Sequence, residues 1–211
     1  MLYVFDLDDT LILEKDFVSS GFRAVDNWLA ANIAVRGFYD AAWEIFQEGS
    51  RGNIFNLALR RFGHRFDPEL IDTLLHVYRN HRPEISLLPD ALEFLNRFSR
   101  KNTALITDGY PVTQWNKIKA LDLQRYIGNI VVTGDWGREF WKPHARAFIH
   151  VSRKYLSREC TYIGDNPEKD FIAPQKLEWA TSVRVKRIMS LHYDLATPSH
   201  CTEVSLLSDI L

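Results

Sequence analysis

Five short apolar segments constrain this chain most: Leu2 to Phe5, Thr103 to Ile106, Ile130 to Val132, Thr161 to Ile163 and Thr181 to Val185. Runs this short and continuously apolar fit strands covered on both faces of a parallel sheet. Helical patterns separate the later ones. Pro89 and Asp90 open a helix with Ala91, Leu92, Leu95 and Phe98 at helical spacing. A second follows Pro111, through Val112, Trp115, Ile118 and Leu121, and a third spans His144 to Tyr155. The alternation predicts an α/β fold, a doubly wound, Rossmann-like parallel sheet. Right-handed crossovers bring the strand C-termini to one edge, where such folds bind ligands.

One stretch breaks the alternation. Between Glu14 and Glu84 the pattern is helical throughout. Phe17, Gly21, Phe22, Val25, Trp28, Leu29 and Ile33 make one apolar stripe, and Phe38, Ala41, Ala42, Ile45 and Phe46 a second. Ile54, Leu57, Ala58 and Phe62 form a third, behind an expected N-cap at Asn53. The fourth begins Asp67-Pro68-Glu69, a capping residue followed by proline at the first helical position. Residues 1–13 and 87–211 are expected to form the core, and residues 14–86 an inserted helical subdomain. Its place directly after the first strand suggests a lid over the ligand edge; further core packing is the plainer reading.

The composition excludes several classes. At 46% hydrophobic and 25% charged the chain is globular. A net charge of -1 gives no global field for nucleic acid or an anionic membrane. Two cysteines, Cys160 and Cys201, make no disulfide framework, which suggests a reducing compartment. The N-terminus meets Asp6 before a signal-peptide core forms, and no apolar run reaches the roughly 18 residues of a membrane span. The expectation is a cytoplasmic protein.

The first strand runs into Asp6-Leu7-Asp8-Asp9-Thr10. If strand geometry persists, Asp6 and Asp8 share a face. Adjacent carboxylates repel unless a cation sits between them, and Mg²⁺ prefers oxygen ligands. A carboxylate, a metal and a phosphate ester make a known combination for nucleophilic attack at phosphorus. Turn formation and helix capping are the structural alternative. Acidic residues return in Gly164-Asp165-Asn166-Pro167-Glu168-Lys169-Asp170, after the fourth strand. Asp170 fits an N-cap there, but Asp165 suits a second source of metal ligands. Thr107, Asp108 and Gly109 follow the second strand, where a hydroxyl and turn N–H groups can hold phosphate oxygens. Lys142, beside Pro143 after the third strand, supplies a compact cation.

Together these pieces resemble the haloacid dehalogenase (HAD) superfamily. Asp6-x-Asp8-x-Thr10 is similar to its first motif, Thr107 to the second, Lys142 to the third and Gly164-Asp165-x-x-x-x-Asp170 to the fourth. The helical insert looks like that family's C1 cap. The resemblance implies Asp6 as a nucleophile forming an aspartyl-phosphate. It implies Asp8 as the acid that protonates the leaving group and then the base that activates water. Thr107, the Asp108 turn and Lys142 would hold the phosphoryl group. Asp6, Asp8 through its backbone carbonyl, and Asp165 would ligate Mg²⁺. Thr10 and Asn166 would support the site from behind, and Asp170 would orient Lys142 or a metal-bound water.

The implied function is a Mg²⁺-dependent phosphomonoesterase acting on a small phosphorylated metabolite, a sugar phosphate in preference. A nucleoside monophosphate phosphatase, a phosphomutase and a non-catalytic phospholigand-binding protein are the alternatives. Asp8 argues against a dehalogenase, which needs no acid at that position. Arg51, in Gly49-Ser50-Arg51-Gly52, is a candidate for a second anionic group of the substrate, against a plain turn residue facing solvent. Trp43, Phe46 and Phe17 are candidates for an apolar cap wall or for ordinary core. After Phe171, Pro174 is expected to shorten or tilt the helix, and the tail is expected to end in a helix from Thr202 to Leu211. The expected partner is a small phosphate ester, with no nucleic acid and no membrane.

Overall fold

A computed structural model describes residues 1–63 and 67–210. Residues 64–66, inside the helical insert, and Leu211, the end of the expected terminal helix, lie outside the described residues. The chain divides into two compact units, Met1–Glu14 with Ile85–Leu211, and Lys15–Glu84.

The first unit is built on six parallel strands: β1 (Leu2–Phe5), β2 (Thr103–Thr107), β3 (Asn129–Val132), β4 (Cys160–Gly164), β5 (Thr181–Val185) and β6 (Thr202–Val204). Their order is β3-β2-β1-β4-β5-β6. The order reverses at β1, which pairs with β2 on one side and β4 on the other, and this reversal opens the crevice that such sheets use for ligands. Alternation along the strands feeds two cores. Phe5 and Leu105 point into one with Ala91, Phe94 and Leu95 of α5 (Pro89–Arg97) and Ile118 of α6 (Pro111–Ala120). Val4, Ala104 and Ile106 point into the other with Ala147, Phe148 and Val151 of α7 (Arg146–Ser152) and Ala173 of α8 (Ile172–Lys176).

The second unit holds the remainder of α1 (Glu14–Ile33) with α2 (Phe38–Gln47), α3 (Ile54–Arg60) and α4 (Pro68–Asn80). Its centre is aromatic. Phe22 meets Phe38, Phe46, Phe55 and Tyr78 with ring centroids 5.9–6.5 Å apart. Phe17 and Phe46 are buried in this centre, and Trp43 is half-buried, stacked between Phe46 and Tyr39. Asp67 caps α4 as expected, accepting from the N–H groups of Glu69 at 3.0 Å and Leu70 at 3.3 Å.

Some expectations need correction. The final helix from Thr202 does not form: three of those residues become edge strand β6, and Leu207–Ile210 makes a single 3-10 turn. β5 offers an unpaired edge, and pairing satisfies the backbone of a segment too short for a helix. The helix expected from His144 to Tyr155 shrinks to Arg146–Ser152. Asn53 precedes α3 but its side chain does not cap it; it lies in the left-handed region and its Oδ1 accepts from Asn56 Nδ2. The helix containing Pro174 is five residues long.

Candidate active site

The site lies at the C-terminal ends of β1, β2 and β4 and is made from the first unit alone. β1 ends at Phe5, and Asp6 N–H still donates to Ile163 O at 2.9 Å, which fixes Asp6 beside β4. The chain then turns, with the carbonyl of Leu7 accepting from Leu11 and Ile12. Strand geometry therefore does not persist to Asp8, and the Asp6 and Asp8 carboxylates part company. Asp9 stabilises this turn from a left-handed φ of 54°, its carboxylate accepting from Glu14 N–H and Leu191 N–H, each at 2.9 Å.

Lys142 is the hub. Its Nζ lies 2.7 Å from Asp6 Oδ1 and 2.7 Å from Asp170 Oδ1, and it donates to the Tyr162 hydroxyl at 3.1 Å. Tyr162 donates in turn to Asp170 Oδ1 at 3.2 Å, and Asn166 N–H donates to Asp170 Oδ2 at 3.0 Å. Burial works against the Lys142 charge, yet Asp170 and Asp6 hold its pKa well above the usual lysine range. The carboxylates respond oppositely. Burial pushes Asp6 up to about 6, with Lys142 opposing. Burial and then the Asp170 and Asp6 charges push Asp165 up to about 9.

Asp6, Asp165 and Asp170 are all buried and present carboxylate oxygens within 4.8 Å of one another. Three buried carboxylates share too little positive charge here, and an oxygen-only donor set is what a hard divalent cation takes. The residues therefore fit Mg²⁺. The Asp8 carboxylate is not in this group, because it pairs with Lys117 instead; only its backbone carbonyl is left for the ligand role expected of it.

The remaining expected residues fall around this centre. Thr107 is buried, and its hydroxyl donates to Gln114 Oε1 at 3.2 Å. The Asp108 side chain ties loops together. Its carboxylate accepts from Thr133 Oγ1 at 2.7 Å and Lys142 N–H at 3.1 Å, and Lys169 Nζ lies 3.2 Å away. Burial would raise Asp108, but Lys142 and Lys169 hold it below the ordinary carboxylate value. Thr10 is fully buried, its hydroxyl without a hydrogen-bond partner among the described residues and its carbonyl accepting from Arg187 at 2.8 Å. Asn166 pairs with His192 Nε2 at 3.0 Å. Arg51, in the second unit, donates through Nη1 to Phe46 O and Ser50 O, each at 2.8 Å, and lies over the Phe46 ring.

Several site residues had no sequence signal. Lys117, Gln114 and Tyr162 sit in ordinary helix and strand patterns. Ser190 donates to Asp165 Oδ2 at 2.9 Å from a loop pinned by buried Arg184, which donates to Asp165 O, His192 O and Leu195 O.

A family model for haloacid dehalogenase-like hydrolases matches residues 1–177. The chain belongs to the haloacid dehalogenase-like hydrolases. Among curated relatives, a glyceraldehyde 3-phosphate phosphatase of Methanocaldococcus jannaschii is 28% identical over 196 residues, covering 86% of this chain and 83% of that one. The corresponding phosphatase of Methanopyrus kandleri is 26% identical, covering 87% and 83%. A phosphoserine phosphatase of Thermus thermophilus is 29% identical over 57% of this chain and 48% of its own. Among solved folds, the HAD-hydrolase YfnB of Bacillus subtilis, bound to magnesium, aligns with a TM-score of 0.68 at 18% identity, covering 99% and 96% of the two chains. A 2-haloacid dehalogenase of Pseudomonas syringae aligns at 0.64 with 21% identity, covering 99% and 95%. These folds share the HAD architecture with this hydrolase. Among its described residues no helix is long and apolar enough to cross a membrane.

Proposed function

We propose that this HAD-like hydrolase is a Mg²⁺-dependent phosphomonoesterase acting on a small phosphorylated metabolite, a sugar phosphate in preference. The observation that carries the reading is the Asp6 carboxylate, 2.7 Å from Lys142 Nζ and grouped with Asp165 and Asp170. The phosphatases among its relatives support the reaction class, and those acting on glyceraldehyde 3-phosphate support a short sugar phosphate.

In this reading Asp6, Asp165 and the Asp8 carbonyl hold the cation, with Asp170 beside them. Bound there, Mg²⁺ neutralises phosphoryl oxygens and lowers repulsion against the incoming carboxylate. Asp6 attacks phosphorus, and an acyl phosphate forms as the ester P–O bond breaks. Asp8 gives its proton to the departing alkoxide. It then takes one from a water that attacks the acyl phosphate, releasing inorganic phosphate and regenerating Asp6. Lys142 meets the charge that develops on the phosphoryl oxygens, with no reorganisation needed at that moment. Thr107 and the Asp108–Gly109 backbone hold the other oxygens. The unit Lys15–Glu84 serves as the cap.

The test is phosphate release from a panel of sugar phosphates and nucleoside monophosphates, followed by mass spectrometry of acid-quenched enzyme. The reading predicts turnover of at least one short sugar phosphate and a phosphoryl adduct on the peptide containing Asp6. An adduct on any other residue would contradict it.

A further inference from the structure

Lys117 lies two turns into α6 on the face that meets the site, and its side chain is 4% exposed. An ammonium this buried is costly unless an anion meets it closely. Asp8 does so with both oxygens: Lys117 Nζ donates to Oδ1 at 2.7 Å and Oδ2 at 2.8 Å. Gln114 stands one turn earlier on the same helix face. Its Nε2 lies 3.5 Å from Asp8 Oδ2, and its Oε1 accepts the Thr107 hydroxyl at 3.2 Å. Gly109 leaves the space for Gln114, since a Cβ there would come within 2.7 Å of Nε2. One rigid helix thus ties the Asp8 carboxylate to the loop expected to hold phosphate.

We propose that Lys117, with Gln114, is the positioning residue that fixes the Asp8 carboxylate relative to the phosphoryl site. The inference rests on the phosphomonoesterase reading, in which Asp8 transfers the proton. An exposed lysine would fix little, because solvated pairs exchange among many geometries. The two-point pair is the ionised state of Asp8; when Asp8 carries its proton, one oxygen stays on buried Lys117 and the other faces the leaving group. Lys117 does not touch substrate here; it acts through Asp8.

A leaving group that departs as a stable anion separates this role from general stabilisation. With glyceraldehyde 3-phosphate the alkoxide needs a proton; with p-nitrophenyl phosphate the nitrophenolate does not. Lys117→Met is expected to lower kcat/KM for the sugar phosphate by about 100-fold, within the range ascribed to a general acid. For p-nitrophenyl phosphate the loss stays below about 5-fold, because its leaving group needs no acid. In an Asp8→Asn background the same change adds little, since residues acting as one unit are not additive. That double variant removes both charges of the pair, so it is the folded comparison where Lys117→Met leaves Asp8 without its cation.

Equal losses with both esters, or full additivity with Asp8→Asn, overturn the positioning role while leaving the phosphatase reading intact. A folded wild-type enzyme that releases phosphate from neither ester, nor from any other of the panel, overturns both.

Discussion

Glu14 shows how a single residue records the electrostatics of the site. Burial, and then the Asp8 charge, push its carboxyl up to about 7 from an ordinary value of 4.5. The folded protein therefore keeps a proton that the unfolded chain has released. Its contribution to stability falls as pH rises from about 4.5 through about 7. Glu14→Gln removes that loss. In EDTA, the melting temperature of the variant relative to wild type is expected to rise by several degrees between about pH 5 and about pH 8. A difference that stays flat over that range would contradict the assignment. Not every such residue was legible. Asp6, Thr107, Lys142 and Asp165 stood out because each follows a strand within a short motif. Lys117 did not, because on a helix a lysine reads as solvated surface until its partner, 109 positions earlier in the chain, is placed beside it. Arg51 is read less sharply, since a glycine-flanked arginine fits a site and a self-closed turn equally well, and its Nη1 does bond its own turn.

Among the elements, α1 and α4 pack through a glycine. A methyl group at Gly21 would lie inside the Tyr78 ring, whose neighbours Phe17, Phe22 and Phe55 leave it nowhere to move. Gly21→Ala is expected to cost about 1–3 kcal/mol despite its better helix propensity, read as a lower denaturation midpoint. A rise in stability would show that this packing is looser than drawn. Asp67→Ala, which removes two accepted hydrogen bonds, is expected to cost about 1 kcal/mol by the same measurement. The α4 start was legible because Asp-Pro-Glu encodes cap and first turn locally. The α3 start at Ile54 was legible too, but its cap was not, because Asn53 takes a left-handed backbone that aims its side chain at Asn56. β6 was missed for a related reason: Thr202, Glu203 and Val204 carry no strand period, and only the β5 edge makes them a strand.

At the scale of the whole molecule, the parallel sheet and its ligand edge were readable because buried parallel strands are largely apolar and crossovers have one hand, whereas the strand order was not. The loop of residues 187–197 was not readable, because its course depends on Arg184, a buried cation between two valines of β5. That loop brings Ser190 to Asp165, so part of the candidate metal centre comes from the one stretch without a motif. The six-stranded frame places Asp6 beside Lys142 in a group of carboxylates suited to Mg²⁺, and we propose that Asp6 is the nucleophile. The most direct test is phosphate release from glyceraldehyde 3-phosphate by wild type with Mg²⁺, wild type with EDTA, and Asp6→Asn with Mg²⁺, each shown to be folded. The account predicts release in the first arm only, restored in the second by added Mg²⁺. Release by Asp6→Asn at the wild-type rate, or release undiminished by EDTA, would contradict it.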